Sequence, residues 1–527
     1  MTGTRHLVRL ILRRDRVLLP LWVLLIAILP ASYATTYAEL YPTAAQRAEY
    51  AAGTAGNPSI VALLGPAYGD SVGALAAQRS GLLHLIVGLI SLLVVVRHTR
   101  AEEEAGRREL LGATVLGRYA GLAAALLVTY AADLLLGLLV AGGLVAAGLP
   151  AAGSLAFGLS VALAGGVFAT VGALAAQLTE SAGGARGLGI GALAVAYLIR
   201  LAGDAGGTEW LSWLSPLGWA QRTHPYAGER WWPLLLLAGG SALVGALAFR
   251  LSARRDLGAG VLPPQLGPAG AGPALGGPWG LAWRLNRVAL LGWTVGAAAL
   301  GAVLGGAAEA AGDAVDGNET VARMMERLGG STGIAEAYLG TTLSIVALAA
   351  AGYGIQAALR MRAEETAQRA EPVLATGVSR SRWLLSHLSF ALLGPAVMLG
   401  VTGLVTGLAY GLSISDIAGA TPRLTGAALA HVPAVWVLVG LAVLLFGLAP
   451  RINAGAAWSA LAACLLLGQL GAVLELSQWL LDLSPFTHTP QVLGGPVPVT
   501  GLLALTATAA ALATLGLLAF RHRDLPT

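Results

Sequence analysis

Lysine is absent from this 527-residue sequence, so all 32 basic residues are arginine. A GxxxxGK[ST] phosphate loop therefore cannot exist, and any ATP hydrolysis tied to this chain belongs to another polypeptide. A single cysteine, Cys464, sits inside an apolar run. That excludes an intrachain disulfide and a cysteine metal cluster. Charge is scarce: 11% of residues are charged, where a soluble protein carries about 25%. The motif HExxH is missing, and no catalytic residue and no metal ligand is assigned.

What is abundant is apolar. Hydrophobic residues make up 56% of the chain and the mean hydropathy is +0.73. Continuous runs of about 20 apolar residues recur throughout, and the backbone of such runs must satisfy its hydrogen bonds internally. Continuous rather than alternating runs select helices. The expected fold class is an all-α polytopic membrane protein with about twelve transmembrane helices. Spans fall near 17–35, 80–96, 119–148, 152–177, 187–203 and 233–250, and again near 286–307, 337–359, 384–412, 425–449, 455–474 and 497–520.

The two sets of six keep the same order of loops, which makes them parallel repeats. Residues 1–255 form the first half and 281–527 the second. A Pro/Gly-rich stretch, 256–280, reads as a flexible cytosolic linker. A polar loop with short helical stretches, 36–78, follows the first span. Residues 4–16, with Arg5, Arg9 and Arg13 on one face, form an interfacial amphipathic helix. Arginines before an apolar run also suit a signal peptide. The same opening recurs internally, however: Arg16-Val17 with Trp22, then Arg287-Val288 with Trp293.

The sharpest repeat is charged. RAEEEAGRRELLGATVLGR (100–118) reappears as RAEETAQRAEPVLATGVSR (362–380), 262 residues on. Glu102, Glu103, Arg107 and Glu109 meet Glu364, Glu365, Arg369 and Glu371. The second copy departs at Gln368, where the first has Gly106, and at Pro372, where the first has Leu110. Proline there predicts an earlier helix break and unequal islands. Arginines are required on the cytosolic side by the positive-inside rule; repeated glutamates are not. Charges of both signs on a short helix suit docking to a protein surface.

Arginine placement sets sidedness. Counting loop by loop, 24 arginines fall with the two termini, the islands, the linker and the short turns of Arg186 and Arg451, and the other eight on the opposite side. Both termini are therefore expected in the cytosol and the chain in the cell membrane, multi-pass. The net charge of +5 reflects these loops and gives no reason to expect nucleic acid. External segments lie at 209–232, which holds five of the 13 tryptophans, and at 476–490.

Six spans per half, an amphipathic first helix, an EE-x-x-x-R-x-E island between spans two and three and an LSPLGW external hairpin together resemble an ABC-2 type exporter permease. The fused form is similar to actinobacterial polyketide-antibiotic (tetronasin-type) exporter permeases. The resemblance implies that the islands are coupling helices. Each would touch one of two copies of an ABC ATPase subunit, and that partner would bind ATP and Mg. This chain itself is then no enzyme and holds no cofactor. Glu180 and Arg186, with Arg451 in the second half, would form a second cytosolic contact. The implied function is ATP-driven export of hydrophobic or amphipathic small molecules, polyketide antibiotics or drugs among them, along a path between the halves.

Other polar residues have bland and functional readings. Asp133, in the third span, costs about 2.5–3.5 kcal/mol at a helix centre unless it faces the bundle interior. It either hydrogen-bonds locally or serves passage or proton coupling. His84 and His431 read as packed histidines or proton relays. Ser215, Pro216 and Trp219, with Ser484 and Pro485, form either an outer gate or an interfacial loop. Gly187 with Gly191, and Gly403, Gly407 and Gly411, read as helix-packing stripes. The alternative function is a proton-driven secondary drug transporter with two six-span halves. Its usual loop motif G-x-x-x-D-R-x-G-R-R is matched only by the last GRR of 101–108.

Overall fold

The computed structural model describes residues 2–524 apart from 56–57, 109–115, 206, 257, 263–269, 271, 307, 309–330, 471–476 and 491–498. Among the described residues the chain is helical, with no strand. Internal contacts divide it into two compact units, Met1–Gly267 and Pro268–Thr527.

The first unit runs α1 (Thr4–Arg14), α2 (Leu18–Leu40), α3 (Ala44–Ala55), α4 (Pro58–Leu64), α5 (Val72–Arg79), α6 (Leu83–His98) and α7 (Arg100–Glu104). It continues with α8 (Ala120–Ala146), α9 (Ala151–Leu178), α10 (Ala182–Ala205), α11 (Glu209–Ser212), α12 (Pro216–Gln221) and α13 (Trp232–Ser252). Helix α9 is the central element and packs against α6, α8, α10 and α13. Its sequence explains why. Gly and Ala recur along it, and in lipid it is close backbone approach, not hydrophobic burial, that holds helices together. The closest approach is Gly158 on α9 against Gly137 on α8. A Cβ at either would stand 2.2–2.4 Å from the other's carbonyl oxygen. Gly148, at φ +85°, and Pro150 make the tight turn between these two helices.

The second unit runs α14 (Pro278–Gly306), α15 (Ser331–Thr366), α16 (Ala370–Ala375), α17 (Arg380–Ser413), α18 (Ile417–Leu429) and α19 (Val432–Leu448). Then come α20 (Asn453–Leu470), α21 (Gln478–Leu481), a 3-10 turn (Pro485–His488) and α22 (Val499–His522). Helix α19 packs on α22 and α15, and α17 on α14 and α18. Gly403, Gly407 and Gly411 do pack, against the backbone of α18. Gly187 and Gly191 on α10 have nothing within reach of a Cβ, so that stripe is not a packing face within its unit.

Eleven helices among the described residues are long and apolar enough to cross a membrane. The expected span at 455–474 is met by α20, a shorter apolar helix. The short helical stretches expected in the polar loop 36–78 are three helices, and Val61, Ala62, Ala74, Leu75 and Ala76 in it are buried. One sequence expectation changes. The front of the linker is not a free tether. The backbone N–H groups of Val261 and Leu262 donate to the carbonyls of Gln177 and Leu178 at 3.0 Å.

Candidate functional site

Each island begins where a long helix leaves the apolar layer. In the first, Glu103 on α7 is buried and takes three arginines: Arg100 at 2.9 Å, Arg108 at 2.6 Å and Arg255, with both carboxylate oxygens, at 2.9 Å. Arg100 is itself fully buried. It also donates to the carbonyls of Ala176 (3.0 Å), Gly258 (3.2 Å) and Ala259 (2.7 Å). A buried carboxylate needs this many partners to offset its desolvation. Glu102 lies nearer the surface, doubly bonded by Arg107 at 2.7 and 2.9 Å and paired with Arg14 from the end of α1. The next residue of that end, Asp15, accepts from His98 at 2.6 Å and pairs with Arg97 at 3.1 Å. Glu109 lies outside the described residues.

The second island repeats the plan. Arg369 bonds Glu364 at 2.8 and 3.1 Å, as Arg107 does Glu102. Arg360 adds a pair at 3.0 Å. Glu365 is buried and pairs with Arg523 at 2.6 Å and Arg362 at 3.5 Å. Gly106 and Gln368, 262 positions apart, both sit in the left-handed region at φ +69° and +55°. The corner is therefore the same in both copies, although only one has the glycine that favours it. Pro372 is tolerated in the first turn of α16, where an N–H has no helical partner anyway. Glu371 is exposed on that turn.

A second link recurs as well. Arg118 donates to the carbonyls of Ser252 (3.2 Å), the last residue of α13, and Arg255 (2.9 Å), just beyond it. Arg380 donates to those of Arg521 (3.2 Å) and Arg523 at the end of α22. Cations satisfy orphan carbonyls at helix C-termini. In both units, then, the island is tied to the end of the last long helix by one buried ion pair and one carbonyl cap. Nothing local in the sequence announces this, because Glu103 and Arg255 are 152 residues apart. The one available signal was that Arg118 and Arg380 fall at the repeat offset.

Glu180, Arg186 and Arg451 are exposed at the α9–α10 and α19–α20 turns. Glu104 joins the first turn to the island by accepting from the Ala182 N–H at 2.8 Å. Asn453, which follows Arg451, is fully buried, and neither polar atom of its side chain has a hydrogen-bond partner.

Within the apolar layer Asp133 is buried and accepts from Ser91 Oγ on α6 at 2.7 Å, so its partner is on a neighbouring helix. Its other oxygen has no partner and faces Gly165. At the repeat offset Tyr353 and Pro395 replace Ser91 and Asp133, so the second unit has no such carboxylate there. His84 spans the Gly81 carbonyl (3.1 Å) and Ser160 Oγ on α9 (2.9 Å). His431 spans the Ala427 carbonyl (2.9 Å) and Ser344 Oγ on α15 (3.3 Å). Both are interhelical clamps.

Among the residues expected to be external, Ser215 accepts from the Leu217 N–H at 3.2 Å and donates to the Ala196 carbonyl at 2.7 Å, with Pro216 opening α12. Ser484 caps the Pro485 turn in the same way, at 3.4 Å from the Phe486 nitrogen. Trp219 donates to the Trp213 carbonyl at 2.6 Å. Under this layer lies a buried cluster that sequence reading counted only as external arginines. Asp204 meets Arg200 (3.5 Å), Arg222 (3.4 Å) and Ser212 Oγ (2.7 Å).

His224, at φ +47°, stacks on Tyr68 with ring centroids 3.7 Å apart. Burial, then Arg230 and Arg222, push its pKa down to about 4. The unfolded chain, near 6.5, binds the proton first, so stability present above about pH 6.5 is lost as pH falls toward 4. Thermal melting of the purified chain between pH 7.5 and 4.5 is expected to show that decline. His224→Asn, which tolerates the same backbone, should flatten it.

Long apolar helices in two units, each with a charged island at a helix end, define the class: a multi-pass helical membrane protein. Residues 275–521 match the family model described as "Multidrug efflux system permease Rv1217c, C-terminal domain". The chain is also 45% identical over 524 residues to the "Multidrug efflux system permease protein Rv1217c" of Mycobacterium tuberculosis strain H37Rv, covering 99% of this chain and 95% of that protein. The chain belongs to this ABC-2 type multidrug efflux permease family and is the membrane permease component of an efflux-type transporter.

Proposed function

We propose that this chain is the permease of an ATP-driven exporter, served by two copies of a separate ATPase subunit. It moves hydrophobic or amphipathic compounds of the polyketide or drug type outward, through a twelve-span body with cytosolic termini. The observation that carries this reading is the island built twice with the same internal pairs, because two equal handles suit two equal motors. The buried state of Glu103 and Glu365 refines which atoms would meet the motor. Those carboxylates shape the handle, while Glu104, Arg107 and Glu371, with Glu180, Arg186 and Arg451, are exposed to receive it.

Purification from the native host in mild detergent, with mass spectrometry of what accompanies the chain, tests this. An ATPase at two copies per chain is the expected result. Combined Glu180→Arg and Arg451→Glu substitution should then release it while melting stays unchanged. A clean monomer that still transports would favour proton coupling, for which the half-partnered Asp133 is the one observation. In that case Asp133→Asn abolishes transport.

A further inference from the structure

The carboxylate–arginine pairs Glu103–Arg255 and Glu365–Arg523 join elements that the chain separates by about half of each unit. On one side is the island, on the loop between the second and third long helices. On the other is the cytosolic end of the last long helix, α13 or α22. The carbonyl caps from Arg118 and Arg380 run between the same two places. One such link could be incidental to packing; the same two links in both units are a construction. Arg523 is further held by donating to the Phe446 carbonyl at 3.0 Å, between the rings of Phe446 and Phe520. Arg255 is held by Gln177 Oε1 at 2.7 Å and the Ala259 carbonyl at 3.0 Å.

We propose that these pairs are push-rod contacts. Glu103 and Glu365 are positioning residues through which displacement of each island moves the last long helix of its own unit as a rigid body. A helix of 21 residues is a stiff rod of about 31 Å, so a shift clamped at its cytosolic end reappears at its external end. There Trp232 and Val499 are exposed. The assignment rests on the reading of the islands as the places where ATPase subunits push. The two links differ in strength. Each pair brings one arginine from beside the last long helix, but in the first unit Arg100 also holds the Gly258 and Ala259 carbonyls beyond α13, whereas Glu365's other arginine, Arg362 at 3.5 Å, belongs to the island. The second unit's ion-pair link is therefore the one that depends on a single arginine.

The sole cysteine is buried, which leaves a clean background for reporters. In the complete complex reconstituted in liposomes, Val499→Cys and, separately, Trp232→Cys are labelled with a membrane-impermeant maleimide, with and without ATP, Mg and vanadate. The nucleotide is expected to change the labelling rate at both. Arg523→Gln should remove the change at position 499 and leave it at 232, with ATP hydrolysis retained. Arg255→Gln should weaken it at 232 only. The exchange Glu365→Arg with Arg523→Glu should restore the response at 499, which a purely structural role would not predict. The proposal is overturned if the external ends do not respond to nucleotide in the unsubstituted complex, or if Arg523→Gln responds normally. Failure of any ATPase to join the chain overturns the reading of the islands instead, and it does so before the labelling begins.

Discussion

Replacing Arg200 with leucine is expected to unfold the layer that α4, α11 and α12 form in the first unit. The guanidinium is almost wholly buried at 1% exposure. It donates to the carbonyls of Ala62 (2.8 Å) and Leu63 (3.2 Å), meets Asp204 and Gln221, and lies 4.8 Å over the Tyr197 ring. Those carbonyls close α4, where the last C=O groups have no helical partner. Leucine leaves the Ala62 carbonyl without this donor and leaves Asp204 buried with fewer partners. Removing one member of a buried ionic cluster costs about 3–5 kcal/mol. Gln221 and Tyr197 still hold the Leu64 and Leu63 carbonyls, so the loss should be regional rather than global. The expected signature is a lowered first melting transition together with new protease cleavage between Gly65 and Asp70. A melting curve and digestion pattern matching the unsubstituted chain would falsify the assignment of Arg200 as the layer's anchor.

This cluster also marks where reading the sequence stops. Apolar runs of the right length announce membrane helices because lipid leaves the backbone no other choice. The order of the runs and the doubled island announce the repeat. The Ser-Pro caps are legible as well, because a cap is a local event between neighbours. Buried ion pairs are different. Arg200 reaches Ala62 across 138 positions and Arg255 reaches Glu103 across 152, and no spacing rule connects such residues. An external arginine reads as sidedness and an island glutamate as surface charge. Burial then makes both internal fasteners. Composition misled in the same way at the front of the 256–280 stretch, whose Pro and Gly predict a loose linker, because Arg100 holds the carbonyls of Gly258 and Ala259. Residue type sets what a segment can do unaided; tertiary partners decide the rest.

Gly158→Leu should be the most damaging single change in the apolar layer. A Cβ there would stand 2.2 Å from the Gly137 carbonyl oxygen, and that carbonyl is fixed in α8. The two helices must separate, and overpacking of this kind costs about 1–3 kcal/mol, occasionally more. The harm reaches further than the contact. The α8–α9 crossing lies beside both polar clamps of the first unit, Asp133 with Ser91 and His84 with Ser160. Each clamp spans α6 and one of the two helices being forced apart. A carboxylate parted from its only donor in lipid has no water to turn to. Loss of the monodisperse folded species is therefore expected on purification in detergent. Gly187→Leu and Gly191→Leu, which meet nothing within 4 Å, should leave yield and melting unchanged. Both are glycines on long apolar helices, so the contrast separates close approach from helix propensity, which would penalise or favour all three alike. If Gly158→Leu behaved like the other two, the glycine contact would not be what sets the distance between α8 and α9. The Asp133 and His84 clamps would then have to hold those helices together themselves.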